Sequence, residues 1–241
     1  MHFSNIFLLT LIVLSTFLCL LFFIQKNSKV KPEKGIIVIF NGSSSAGKTT
    51  VQKKLQAISK NFFLRIGIDS FFDALIAEPD VTQFQKEGVL EQYTPHGELI
   101  RSVIMKRDAD GNQIVPLTIG SAGIRIIHGM HNALAAYADA GNNIIVDYIL
   151  YDPEWIFDLK KVLDNYTVYL IGFQGPLSVI EEREKKRATS PVGHARSHYH
   201  TVHQGMKYDL IIDIEQNPDL IADRINQYIV QNKNPSALKS I

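Results

Sequence analysis

A chain of 241 residues, 46% hydrophobic and 20% charged, has enough apolar material for one sizeable core. The formal net charge of +1 excludes both a global basic field for nucleic acid and an acidic disordered tail. The single cysteine, Cys19, excludes an intrachain disulfide.

The chain opens on a segment unlike the rest. Ile6 to Ile24 carries no charge, with only Thr10, Ser15, Thr16 and Cys19 among aliphatic and aromatic residues. As a helix this run spans roughly 28 Å, close to the thickness of bilayer hydrocarbon. Lys26, Lys29, Lys31 and Lys34 follow it, whereas only His2 and the terminal amine precede it. The positive-inside rule then predicts a single-pass membrane protein whose C-terminal side, the main domain, is cytoplasmic. Neither a basic start nor a small-residue cleavage site marks a signal peptide. The expected organisation is an anchor over 1–25, a linker over 26–34, one α/β domain over 35–232 and a C-terminal tail over 233–241.

Beyond the linker, short apolar runs alternate with helical spacing. Gly35 to Phe40 reads as a buried parallel strand, residues 49–60 as a helix and Phe62 to Ile68 as a second strand. Residues 98–117 alternate apolar and polar on both sides of Asp110-Gly111-Asn112, a hairpin inserted into the rhythm. Residues 121–140 form a long predicted helix that ends at Gly141, a suitable residue just past a helix end. Ile144 to Val146 is a third strand ending at Asp147, Val168 to Phe173 a fourth, 176–187 a helix, Leu210 to Ile212 a fifth strand and 218–231 a last helix. The alternation predicts an α/β fold with a five-stranded parallel sheet flanked by helices.

The first strand runs into Gly42-Ser43-Ser44-Ser45-Ala46-Gly47-Lys48-Thr49, followed by Thr50 and a helix. This is the G-x-x-x-x-G-K-[ST] pattern in its required strand-loop-helix setting, the mark of a P-loop NTPase. Its glycines let backbone N–H groups curl around phosphate oxygens, and the helix N-terminus adds partial positive charge. Lys48 is expected on the β- and γ-phosphates of ATP and the Thr49 hydroxyl on Mg²⁺. Asp147, at the end of the third strand, is the expected second metal residue.

Asp69 follows the second strand in Gly67-Ile68-Asp69-Ser70-Phe71-Phe72-Asp73. Strand ends on the carboxyl side of such a sheet face the ligand crevice, where a carboxylate can take the proton of an attacking hydroxyl. A helix N-cap is the competing reading of Asp69, and Asp73 would share its helix face. Residues 181–187 are charge-dense; Arg183 and Arg187, four apart, lie on one helical face. On a mobile lid segment, such arginines stabilise charge on a transferring phosphoryl group. Arg125 would meet substrate or pair with an acid. His194, His198, His200 and His203 have no accompanying cysteine, and their spacing suits a surface helix as well as a metal site.

Taken together, the residues resemble the chloramphenicol phosphotransferase family over about residues 35 to 230. The marks are the 41–49 loop, Gly67-x-Asp69-Ser-Phe and Gly141-x-Asn-Ile-Ile-Val-Asp147. Gly172-x-x-x-Pro176-Leu177, Glu182-Arg-Glu184-x-x-Arg187 and Val202-His203-x-Gly-x-x-Tyr208-Asp209 continue them. The resemblance implies ATP- and Mg²⁺-dependent O-phosphorylation of a small-molecule hydroxyl, that of chloramphenicol in the family. It also implies Asp69 as the base, Arg183 and Arg187 as lid arginines, and a fold similar to shikimate and nucleoside monophosphate kinases. After Arg187 the family usually continues Gly-Asp-Arg; here the chain reads Ala188-Thr189-Ser190, so one lid arginine is missing unless Arg196 replaces it. The 98–117 segment and the anchor also depart from the family. Two other expectations stand beside the kinase: a membrane-tethered nucleotide-binding regulator, and a kinase of a nucleotide sugar or other alcohol metabolite.

Overall fold

The computed structural model describes residues 32–73, 89–93, 99–187 and 190–241. Lys34–Ile241 forms one compact unit. Its centre is five parallel strands: β1 (Ile37–Asn41), β2 (Phe63–Gly67), β8 (Asn143–Tyr148), β9 (Val168–Gln174) and β10 (Leu210–Asp213), in the spatial order β10-β9-β1-β8-β2. β1 is central, pairing Phe40 with Asp147 on one side and with Ile171 on the other. That register puts the C-terminal end of β1, where the phosphate loop begins, beside the end of β8.

Helices cover both faces because successive strand residues point to opposite sides. On one face Ile37, Ile39, Ile144, Val146 and Leu170 pack against α3 (Ser121–Asp139) and α4 (Trp155–Leu163). Met130 and Leu134 of α3 are fully buried there, worth about 1.5–3 kcal/mol each. On the other, Val38, Phe40, Ile145, Tyr169 and Ile171 meet α1 (Lys48–Ile58) and α7 (Pro218–Gln231). α7 starts where Asn217 accepts the N–H of Asp219 and Pro218 fills the first helical turn. α3 closes through Ala140 into Gly141, whose φ of 86° is left-handed. Two short helices complete the crevice side: α2 (Ile68–Asp73) after β2, and α6 (His194–His198) after the charge-dense α5 (Leu177–Arg187). In the 233–241 stretch, Ala237 and Leu238 are buried in the α3 face core.

The inserted segment is richer than a single hairpin. β3 (Val89–Tyr93), β4 (Leu99–Ile104) and β7 (Leu117–Ile119) form a three-stranded antiparallel sheet in the order β3-β4-β7. β5 (Lys106–Arg107) and β6 (Gln113–Ile114) form the hairpin around Asp110-Gly111-Asn112. The Asp108 carboxylate fastens its turn by accepting from the backbone N–H groups of Asp110 and Asn112.

One expectation is corrected. The anchor read over residues 1–25 lies outside the described residues. Among the described residues, no helix is long and apolar enough to cross a membrane. The longest of them, α3, carries Arg125, His128, Asn132 and Asp139 outside the stripe that it buries. Among the described residues the fold is the five-stranded α/β P-loop architecture, and none of its helices spans a membrane. The single-pass membrane location and the membrane as a partner have no support in it.

Candidate active site

The phosphate loop hangs between β1 and α1 with most of its residues buried. Gly42, Ser43, Ser44, Ser45 and Ala46 are buried, Gly47 is half-buried, and Thr49 and Thr50 are exposed at the helix start. Gly47 has φ 91° and Ser45 φ 62°, left-handed geometry that bends the chain tightly enough for its amides to converge. Lys48 opens α1 yet is 4% exposed. Its Nζ turns back under the loop and donates to the carbonyl oxygens of Gly42 at 2.9 Å and Ser43 at 2.8 Å. Burial pushes the Lys48 ammonium below its ordinary pKa, while the charges of Asp147 and Asp69 pull it back up.

Asp147 sits where β8 ends next to β1. One carboxylate oxygen lies 3.5 Å from Lys48 Nζ, and the other accepts the Thr49 hydroxyl proton. A hydroxyl and a carboxylate so joined at the loop's rim offer the oxygen donors that Mg²⁺ prefers. The hydroxyls of Ser43 and Ser45 are buried without a hydrogen-bond partner among the described residues. Buried polar groups are normally satisfied, so these two orphans suit a polar ligand such as a phosphate chain. The residues present thus fit both a nucleotide phosphate and a divalent ion.

Asp69 lies in the first turn of α2, exposed, past the end of β2. It belongs to the Lys48 surroundings through its field. Asp73 ends the same helix. The two lid arginines part company. Arg183 donates from Nη2 to the Ile214 carbonyl at 2.8 Å and from Nη1 to the Ala46 carbonyl at 3.5 Å. It thereby ties α5 to the phosphate loop and to the end of β10. Arg187, one turn further, is exposed, and its charge reaches Lys48. Arg196 is committed to two acids, donating from Nε to Glu181 at 2.6 Å and standing 3.5 Å from Asp108.

Several residues at this end take roles that the sequence did not assign to them. His198 is buried, and its Nε2 accepts the backbone N–H of Ser44 at 3.0 Å. Glu184, 1% exposed, accepts the N–H groups of Gly193 at 2.8 Å and Ala195 at 2.7 Å, capping the start of α6. Asn41 accepts from Leu150 N and donates to Val202 O and Tyr208 Oη, joining β1 to the chain after β8 and after α6. Gln52 on α1 donates to the carbonyls of Ile66 and Ile145, locking the helix to β2 and β8. The His198, Asn41 and Gln52–Ile145 contacts join positions far apart in the chain; only the Val202–Asp209 pattern hinted that the segment after α6 belongs here.

The insert is fastened to the α6 segment. Val115 N donates to Gly193 O at 3.0 Å, Gln113 Nε2 to Val192 O at 2.7 Å, and His194 Nδ1 lies 2.9 Å from Val115 O. Gly193 has φ 97°, and a Cβ there would stand 2.4 Å from Gln113 O, so only glycine allows this approach.

A strand-loop-helix phosphate cradle at the centre of a parallel sheet defines a P-loop fold, and the family and relatives that it matches make it a phosphotransferase acting on hydroxyl groups. Residues 35–230 match the family described as chloramphenicol phosphotransferase-like protein, and the chain belongs to that family. A relative in two strains of Mycobacterium tuberculosis, named "Putative O-phosphotransferase", is 27% identical over 185 residues, 77% of each chain. Among solved structures, the APS kinase CysC of M. tuberculosis in complex with AMPPNP and APS has TM-score 0.52 and 16% identity, covering 83% of this chain and 99% of that one. A sugar kinase from Janibacter sp. has TM-score 0.51 and 18% identity, covering 82% and 95%. Both share the fold.

Proposed function

We propose that this protein transfers the γ-phosphoryl group of ATP, with Mg²⁺, to a hydroxyl of a small molecule, with chloramphenicol as the first acceptor to test. The observation that carries the reading is the convergence at Lys48. Its ammonium lies under the loop, 3.5 Å from Asp147, and feels the charges of Asp69 and Arg187. Lys48 thus feels two carboxylates and a guanidinium, each from a different element, at the rim of the phosphate loop.

Each residue has a task in this reading. Lys48 exchanges its loop carbonyls for phosphate oxygens and neutralises them. Thr49 and Asp147 hold the metal, which when bound draws electron density from the phosphate oxygens. Asp69 takes the proton of the acceptor hydroxyl as its oxygen attacks phosphorus. Arg183 fixes α5 against the loop, and Arg187 brings positive charge over the transferring group. Most of the acceleration then comes from positioning and charge stabilisation.

The test is ATP consumption by the purified protein against a panel of hydroxyl compounds that includes chloramphenicol. Stoichiometric ADP and phosphorylated acceptor, lost in Asp69→Asn while ATP affinity is kept, supports the assignment. Equal loss of ATP binding and transfer in that variant contradicts the base role. Turnover on a nucleotide sugar or another alcohol keeps the chemistry and replaces the acceptor.

A further inference from the structure

The phosphate loop is held by a group that its motif does not contain. His198, the last residue of α6, lies 154 positions along the chain from Ser44 and accepts its backbone N–H at 3.0 Å. Ser44 is the third residue of the loop, next to Ser43, whose carbonyl Lys48 holds. The contact therefore fixes the loop's peptide chain close to the ammonium rather than at its outer rim.

The imidazole is in turn held from several sides. Its Nδ1 lies 3.3 Å from Ser197 Oγ, which donates to His194 O. Its ring packs against those of Tyr151 and His194, each with centroids 4.9 Å away. A ring that accepts at Nε2 must carry its proton on Nδ1, and these neighbours provide for that tautomer. The charged and titratable groups around it are Lys48 from the loop, His194 from its own helix and Tyr151 from the chain after β8. Burial, with Lys48 and His194 nearby, keeps the ring uncharged, well below its ordinary pKa. α6 itself is anchored at its other end by the Glu184 carboxylate and by Val115 of the insert. His198 is thus the tip of a braced strut that ends on the phosphate loop.

We infer that His198 is a positioning residue for nucleotide binding, setting the Ser44 segment of the phosphate loop by accepting its amide. This rests on the proposed ATP-dependent reaction and adds to it a residue outside the P-loop motif. Without the acceptor, the Ser44 amide is left unpaired in a buried setting, and the loop must be ordered at the moment of binding instead of beforehand.

The test measures binding of a fluorescent ATP analogue to the full chain, without any acceptor compound, for wild type, His198→Ala, His198→Gln and His198→Met. Circular dichroism melting checks that each variant is folded; if His198→Ala is not, His198→Met, of similar bulk and without an acceptor, takes its place. The expected result is affinity about tenfold weaker in the variants lacking an acceptor. His198→Gln, whose amide oxygen can accept the same N–H, is expected within about threefold of wild type. Transfer assays should show the same split, a higher KM for ATP with kcat changed far less. Unchanged affinity in His198→Ala or His198→Met overturns the inference. Equal loss in His198→Gln and His198→Met also overturns it, because bulk rather than hydrogen bonding would then be at work. Failure of the wild type to bind the analogue overturns the proposed function and this inference together.

Discussion

Replacing Glu184 by alanine tests how the crevice is held together. The carboxylate is 1% exposed and accepts two backbone N–H groups, from Gly193 at 2.8 Å and from Ala195 at 2.7 Å. Alanine leaves both amides without their acceptor at the start of α6, a helix too short to be stable alone. An unsatisfied buried amide costs about 1–3 kcal/mol, so the pair is worth roughly 2–4 kcal/mol after partial relaxation. For a unit of this size, each kcal/mol lowers Tm by about 2–4 °C, giving a drop of roughly 5–15 °C. Burial raises the Glu184 pKa, against the pull of its two amides. A carboxyl whose folded pKa is raised binds its proton more tightly in the native state. Stability from this group is therefore greatest in acid and declines as pH rises from the unfolded value through the folded one. The Glu184→Ala penalty is taken at neutral pH, where the charged form makes both hydrogen bonds, and by the same linkage is expected to be larger in mild acid. The assay is thermal unfolding combined with amide hydrogen exchange. Faster exchange at Gly193 and Ala195 and the stated fall in Tm are expected. A Tm within 1 °C of wild type with unchanged protection at both amides would mean that the two hydrogen bonds do not hold α6 in place.

Four further outcomes follow from the same geometry. Arg183→Ala should raise KM for ATP about tenfold through loss of the brace to Ala46 and Ile214, whereas Arg187→Ala should lower kcat by about a hundredfold; steady-state kinetics separates the two. Thr49→Val removes the hydroxyl bonded to Asp147 and should raise the Mg²⁺ concentration for half-maximal turnover at least about tenfold, read by metal titration. Gly193→Ala meets both a left-handed backbone and the Gln113 carbonyl, costing about 1–2 kcal/mol for the backbone alone and more for the clash, read by denaturant unfolding. The pKa of His198 is depressed in the folded state, so its contribution to stability is present above the ordinary histidine value and lost as pH falls toward the folded value. Urea midpoints should drop on acidification from neutral pH in wild type, and less so in His198→Gln.

How much of this could be read from the sequence differs by region. The five central strands and the helices α1, α3, α5 and α7 announce themselves because burial forces continuous β-branched runs and periodic apolar stripes. The phosphate loop is legible because its chemistry is local: eight consecutive residues carry it. α4 went unread although its buried Trp155, Ile156, Leu159 and Leu163 follow helical spacing after the Asp152-Pro153 turn. The insert showed its hairpin through Asp110-Gly111-Asn112 but not the three-stranded sheet, since β3 lies before the 98–117 alternation. Arg183 and Arg187 share a helical face in sequence, yet contacts to Ala46 and Ile214 claim only the first. The burial of His198 was hidden for the same reason: a histidine-rich pattern fits a surface helix until the loop it touches, 154 residues away, is placed beside it. The apolar run at 6–24 carried a membrane expectation that no described helix supports.

In the proposed reaction, Lys48, Asp147 and Asp69 carry the γ-phosphoryl group of bound ATP to an alcohol and leave ADP. Mass spectrometry of reaction mixtures containing the purified protein, ATP, Mg²⁺ and the hydroxyl panel tests it most directly. An acceptor gaining one phosphoryl group, with ADP formed one for one and no product from Asp69→Asn that still binds ATP, is the predicted result. ATP bound tightly but left untransferred across the whole panel, or a product formed equally well by Asp69→Asn, would contradict it.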